Sequence, residues 1–460
     1  GNQLIWQQLK ASMPTLQGEL VDGHLGRGLS LHGLSYDSPS LNIQADDLTF
    51  DWQLASLLSG RLIIDDLVLS NGSLIYRTDA ADDAPDEPEL TAQSNDADSL
   101  IYLPLDLQLK KLTVNRLRVA TPDVVVAVAQ LQASASWQGT QLRLLSSHSS
   151  DVDVQLLPSL PDPKAKPELK SAKPEALLRE PFNAQMVRQQ IETLPTVFFP
   201  FDLTVEQFAV QHARYHQVGF DTGLFDVSLQ GRFVGTELTV DALDVAHSFG
   251  DLALQGKMSF VDYYPMQVTL KGLSKVDWLE KQLHGRRATL QVAGPLTDLQ
   301  GKLGLDGKEG AELKLRLNTL APDLPFETSL IWKQLQWPLR GKPDLRLLNG
   351  KLSASGHLSA YQMTLHSQSE ILDLPHAKLD LSLKGSLQGV EIKPLSLTSP
   401  DGALALTGKL DWQRGVHWLG NLELKSGNLN SWLPELSGRI GAKLATEFVY
   451  RAPHWQLKIP

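Results

Sequence analysis

The chain has 460 residues, 52 acidic against 42 basic for a net charge of −10, and no cysteine. That balance excludes a protein whose affinity rests on phosphate contacts along nucleic acid, which needs a basic face. Without cysteine there are no disulfides and no thiol nucleophile, and the case for structural zinc is weakened.

In chain order, the opening NQLIWQQLKASM places Leu4, Ile5, Leu9 and Met13 at helical spacing, which predicts a short helix over 1–14. Strand signal then takes over. Leu48, Phe50, Trp52 and Leu54 alternate with polar residues, as do Leu103, Leu105, Leu107 and Leu109, and Val152, Val154 and Leu156. Alternate residues of a strand point to opposite faces, so each segment is a ribbon with one apolar side. Ser70-Asn71-Gly72 and Ser399-Pro400-Asp401-Gly402 suit hairpin turns. Residues 79–98, DAADDAPDEPELTAQSNDAD, read as a flexible acidic insertion. Residues 158–196 read as a Pro/Lys-rich loop followed by a helix with Phe182, Met186, Val187 and Ile191 on one stripe. A third short helix is expected at 276–285. Strands do not alternate with long helices, which argues against a doubly wound fold. The two irregular segments read as excursions from one continuous β structure over 1–460.

A motif recurs from residue 227 onward: apolar, x, apolar, x, Gly, x, apolar. It is carried by Val227, Leu229, Gly231 and Phe233; by Leu252, Leu254, Gly256 and Met258; and by Leu290, Gly294 and Leu296. It returns in Leu352, Gly356 and Leu358; in Leu381, Leu383, Gly385 and Leu387; and in Leu404, Leu406, Gly408 and Leu410, followed by Trp412. The glycine falls on the apolar face, where it marks a bulge, a bend or close backbone approach. The expectation is an elongated, twisted antiparallel sheet that curls along its glycines, with an apolar interior and a few short helices. Glycine-containing hairpins of a β-sandwich are the alternative. With so few helices, each apolar face needs a second sheet or a guest to cover it. About thirty strands at ~4.8 Å would give a ribbon on the order of 140 Å.

Catalytic and cofactor motifs fail on inspection. Gly402 and Gly408-Lys409 suggest a phosphate loop, but five residues separate the glycines and Leu410 stands where Ser or Thr is required. His212 and His216 have i, i+4 spacing without an adjacent Glu, which reads as two half-exposed histidines rather than a metal site. Asp46-Asp47, Asp65-Asp66 and Asp151-Val152-Asp153 read as solvated carboxylates at turns or strand edges. No G-x-S-x-G elbow is present. The reading is a non-enzyme without metal or cofactor. No run of 18 apolar residues occurs, so no transmembrane helix is expected within the chain.

The segments GLSLHGLSYDSPSLNIQADDLTFDW (28–52), LIIDDLVLSNGSLIY (62–76), PFETSLIWKQLQWPLRGK (325–342) and LALTGKLDWQRGVHWLGNLEL (404–424) resemble the TamB family, within the AsmA-like group of bridge-type lipid-transfer proteins. The resemblance extends over the whole chain and implies a fragment of a longer protein. A preceding inner-membrane anchor and a following C-terminal region would flank it. It further implies a taco-like β groove in the periplasm, phospholipids as cargo, and an outer-membrane TamA-like barrel as partner. On that basis the expected lipid-groove lining is Val227, Leu229, Phe233, Leu252, Leu254, Met258, Leu352, Leu358, Leu381, Leu383, Leu387, Leu404, Leu406, Leu410 and Trp412. Two further readings stand beside the conduit: a scaffold that aids insertion of outer-membrane proteins such as autotransporters by β-augmentation, and a structural β-array with a dry core.

Overall fold

The computed structural model describes residues 6–7, 15–24, 28–77, 100–157, 188–189, 191–276, 284–307, 310–338, 343–371, 374–412, 415–428, 437–451 and 454–458. The expected insertion at 79–98, most of the helices expected at 1–14 and 276–285, and most of 158–190 lie outside them.

The fold is all-β, with 24 strands among the described residues. They divide between two compact units: residues 1–180 with 196–260, and residues 181–195 with 261–460. The first unit holds β1 (Leu16–His24), β2 (Gly28–Asp37), β3 (Leu41–Gln53), β4 (Arg61–Tyr76), β5 (Leu103–Ala120), β6 (Val124–Gly139), β7 (Gln141–Leu156), β8 (Asp202–Gln217), β9 (Phe220–Val234), β10 (Glu237–His247) and β11 (Gly250–Ser259). The second holds β12 (Met266–Ser274), β13 (Arg287–Gly294), β14 (Leu299–Leu305), β15 (Ala311–Leu317), β16 (Phe326–Trp337), β17 (Leu345–His357), β18 (Ala360–Ile371), β19 (Leu374–Ser386), β20 (Gly389–Ser399), β21 (Gly402–Asp411), β22 (Val416–Asn428), β23 (Arg439–Arg451) and β24 (His454–Lys458).

Within each unit, hydrogen-bonded ladders join strands that follow one another in the chain. All are antiparallel except β4–β5 and β7–β8, which are parallel. A parallel pair cannot be closed by a hairpin, because the chain must return to the end of the sheet where the previous strand began. The two long segments without strand pattern fall at these two joints, between Tyr76 and Leu103 and between Leu156 and Asp202. Their length is what the topology requires.

Two creases run across the strands of the first unit. The upper one passes through Gly33, Asn71, Arg116, Asp151 and His212, all with φ between 52° and 62°. At each the ladder skips, so that Ser70 pairs with Asn115 and Gly72 with Leu117, leaving Asn71 and Arg116 out of register. Polar side chains link along the line. Asn71 Nδ2 donates to Asp46 (2.5 Å), Arg116 Nε to Asn71 Oδ1 (2.5 Å) and the His212 backbone N–H to Asp226 (2.8 Å), while His212 Nδ1 lies 3.3 Å from Asp151. The lower crease is made by doublets that both leave the ladder. Asp65-Asp66 face Lys110-Lys111, at 2.7 and 3.1 Å, and Leu145-Ser146 and Glu206-Gln207 leave the β7–β8 ladder together, with Glu206 meeting Arg143, which stays in register. Irregularities continue along the same line into β9, β10 and β11. One bulge bends one strand; bulges aligned strand after strand fold the sheet.

The first unit folds along these bulges, and the motif glycines Gly231 and Gly256 border the lower crease, each in the last regular pair before a register shift. Gly385 and Gly408 keep ordinary strand backbone, and only Gly294 (φ 98°) and Gly356 (φ 137°) among the motif positions named above are well inside the left-handed region. The carboxylates expected at turns lie at mid-strand, on the creases. Hydrogen bonding from Lys110 holds the Asp65 carboxyl below its ordinary range. A depressed carboxylate lends stability above its unfolded value, and that contribution is lost as pH falls through the depressed one; exposure keeps it small.

Left-handed backbone disfavours β-branched residues. Asn71→Val and His212→Val are expected to cost about 1–2 kcal/mol each, with Asn71→Gly close to neutral. Urea unfolding of the three variants checks this; equal stability of the Val and Gly variants at 71 would show that the crease carries no conformational strain.

Candidate functional site

Strand alternation and register together define one apolar face in each unit. In the second unit, residues directly opposite across successive ladders form an unbroken rank: Leu270, Leu290, Leu303, Leu313, Leu330, Leu352, Leu365, Leu381, Leu395, Leu406, Leu422 and Leu444. Every strand from β12 to β23 contributes one leucine. Opposed side chains on one face sit about 4.5–5.5 Å apart, so the rank is a continuous hydrocarbon strip running across the strands. The register shifts at Leu348/Lys351, Leu381/Leu383 and Ile392/Leu395 leave the rank unbroken.

The first unit has a corresponding rank through all eleven strands: Leu20, Leu31, Leu48, Leu69, Val114, Leu131, Ser149, Val210, Val227, Val245 and Leu252. It runs between the two creases. Leu31, Val114 and Val210 on it are buried, whereas the rest of the apolar face is mostly half-buried. Ala45, Ile64 and Ala213, beyond the creases, are buried as well.

The apolar faces are nonetheless not closed over. Among the described residues, twelve hydrophobic side chains are buried. A sandwich of two such sheets would bury an inner residue on every second position of each strand.

Of the expected lining residues, Val227, Leu229 and Phe233 lie on β9 and face Val245, Leu243 and Leu238 across the ladder. Those in turn face Leu252, Leu254 and Met258 of β11. Leu352, Leu381 and Leu406 fall on the leucine rank, with Leu383, Leu404 and Leu410 on the same face. Leu358, Leu387 and Trp412 lie past the strand ends, in hairpin turns. Trp412 is anchored there by its indole N–H, which donates to the Leu387 carbonyl at 2.8 Å.

Sequence reasoning missed what the glycines do. On the apolar face of the second unit they are sockets for rings on neighbouring strands. A side-chain carbon at Gly350 would overlap the Trp332 ring and one at Gly385 the Tyr361 ring, while one at Gly408 would come to 2.8 Å from the Trp418 ring. At Gly408 it would also come to 2.5 Å from the Leu419 carbonyl oxygen. The rings lie over the glycine backbone.

The opposite face is wet and charged. Lys302 and Lys314 share Glu312 at 2.9 and 3.2 Å, and Arg316 holds Asp298 at 2.6 Å. Hydrogen bonds from these cations draw the Glu312 and Asp298 carboxyls below their ordinary range. This face also has a hollow of about 860 Å³ over β13–β18, lined by Lys302, Lys314, Arg316, Lys351 and Ser, Thr and Gln side chains. A twisted sheet is saddle-shaped and so is concave along one diagonal on each face; the apolar face is not the concave one everywhere. His212 and His216 lie on β8 and face Asp151 and Asp153. Among the described residues, no group of three or more His, Asp and Glu could hold a metal ion, and no helix is long and apolar enough to cross a membrane.

The family model described as "TamB, N-terminal domain" matches residues 1–460. The translocation and assembly module subunit TamB of Haemophilus influenzae is 20% identical over 480 residues, which cover 100% of this chain and 36% of that protein. The chain thus spans little more than a third of the length of this curated relative. No solved structure matches it.

Proposed function

Since the chain belongs to the TamB N-terminal-domain family, we propose that it is the lipid-conducting part of a translocation and assembly module subunit. Phospholipid acyl chains would travel along its apolar ranks, across the periplasm, from an inner-membrane anchor towards a TamA-like outer-membrane barrel.

The unbroken leucine rank is the observation that carries this reading. Away from the bulges, backbone N–H and C=O groups in the interior of a sheet are engaged in ladders, so the floor offers little to a peptide guest. A methylene chain needs no hydrogen bonds at all. Covering it is worth ~0.8 kcal/mol per CH₂, and repeated leucines without an anchoring polar group give it no preferred stopping place. The scaffold reading, by β-augmentation, needs an exposed regular edge. On β1, register shifts at Gln17/Glu19 and Leu20/Asp22 bulge the edge, a device that disfavours strand addition, so β24, which pairs with β23 without a shift, is the edge that reading would use.

Detergent-free purification followed by native mass spectrometry is expected to find phospholipid on the chain. A photo-crosslinking residue at 406 should capture it, and one at the exposed, opposite-facing position 407 should not. Apo protein alone, or equal capture at both positions, would reject the conduit.

A further inference from the structure

One margin of the first unit is built differently from the other. It is the margin where β4, β5 and β8 begin and where the β6–β7 and β9–β10 hairpins turn. Across it lies the strap Thr196–Phe201, Thr-Val-Phe-Phe-Pro-Phe, which ends the second crossover. The Phe199 ring stacks on Phe233 of the apolar face, with centroids 4.9 Å apart and planes at 23°. Phe201 meets Phe199 edge-on at 4.6 Å and Trp137 at 5.2 Å, while Phe233 reaches Phe260 at 5.5 Å. Five rings thus form a connected hem from β6 to the end of β11.

The hem is tied down by backbone. Val197 N–H donates to Phe260 O, Phe199 N–H to Gly235 O (2.9 Å) and Asp202 N–H to Thr140 O (2.9 Å). Ile101, at the end of the first crossover, donates to Pro200 O (2.6 Å). Pro195 and Pro200 have no N–H to offer, and the strap carries no cationic side chain. The ends of both crossovers therefore meet at this margin, and they present aromatic carbon to the trough. The opposite margin, with the hairpins Thr121–Val124 and Gln217–Phe220, has no such strap among the described residues; rings stand there too, with Phe220 and Phe249 exposed at hairpin tips, but among hydrogen-bonding groups, the Tyr215 hydroxyl, Gln217 and His247.

We propose that the aromatic hem bars phospholipid head groups from its margin, so that a lipid on the first unit presents its phosphate at the opposite, hairpin margin. A phosphate against the hem would give up water for ring edges that cannot replace its hydrogen bonds. Acyl methylene gains from the same contact. The hem thereby orients the cargo, which rests on the lipid reading above.

The test uses the 460-residue chain with two photoactivatable phosphatidylethanolamines, one carrying its diazirine on the head group and one at the end of an acyl chain. Labelled positions are mapped by mass spectrometry. The head-group probe is expected to label 121–124 and 217–220 over 196–201 by about tenfold, and the acyl probe to label the apolar face. In Phe199→Ala/Phe201→Ala, with folding checked by circular dichroism, head-group labelling should spread to both margins. Head-group labelling of 196–201 in the unaltered protein, or a variant pattern identical to it, would overturn the hem's role while leaving the lipid reading intact. Absence of acyl labelling on the apolar face would overturn the lipid reading itself.

Discussion

Leu406→Asp is expected to cut the phospholipid that co-purifies with the chain by tenfold or more, while Thr407→Asp leaves it nearly unchanged. Leu406 stands in the rank between Leu395 and Leu422, so its replacement sets a carboxylate within about 5 Å of both neighbours. A guest chain passing that point must strip water from a charge, and each 1.4 kcal/mol of that cost is a factor of ten in occupancy. Thr407, exposed on the other face beside Asn421, puts the same charge in water. Each strand touches only its ladder partners, so a local fault should leave the rest folded. Thermal unfolding of both variants separates lost lipid from lost structure. Equal retention of lipid by Leu406→Asp and Thr407→Asp would remove the rank from the mechanism.

The largest effect on stability is expected at Gly350. Its backbone lies under the Trp332 indole, which is 3% exposed. The buried indole N–H has no hydrogen-bond partner, so the ring is held there by packing. Gly350→Val forces the ring off its seat, at a cost of about 1–3 kcal/mol, the range of overpacked core positions. Hydrogen exchange should accelerate in β16, β17 and β18. A cycle with Trp332→Ala tests the cause, since removing the ring first should make the valine much less harmful. Additive losses would mean that the glycine is needed for backbone geometry instead. Aromatic cover of strand glycines is an established device for stabilising sheets.

How far the sequence could be read depended on whether a feature is local. The face occupied by Leu404, Leu406 and Leu410 is local: it follows from a period of two, and the ladders keep it. The rank is not. To place Leu381 opposite Leu395, and Leu395 opposite Leu406, requires the register of each ladder, which turn length and bulges decide together. The creases left a trace that was misread. In LIIDDLVL and LQLKKLTV a polar doublet interrupts alternation and apolar phase resumes after it; a turn would look the same. Only the pairing of Asp65-Asp66 with Lys110-Lys111 tells them apart. The motif glycines were placed on the correct face, but a ring contributed by another strand cannot be seen from the glycine's own neighbours. Leu358 and Leu387 were carried onto the lining by a seven-residue motif whose last position falls beyond the strand.

Because each strand gives one residue to the rank and bonds to its predecessor, a hairpin is the unit of length. Inserting one adds two rungs and about 9.6 Å of path, at ~4.8 Å per strand, without disturbing the rungs on either side. An odd number of strands reverses the direction of the chain, and a long return segment, like those before β5 and β8, restores it. The length of such a rank can then change by duplication or loss of hairpins, separately from the residues that make up its face.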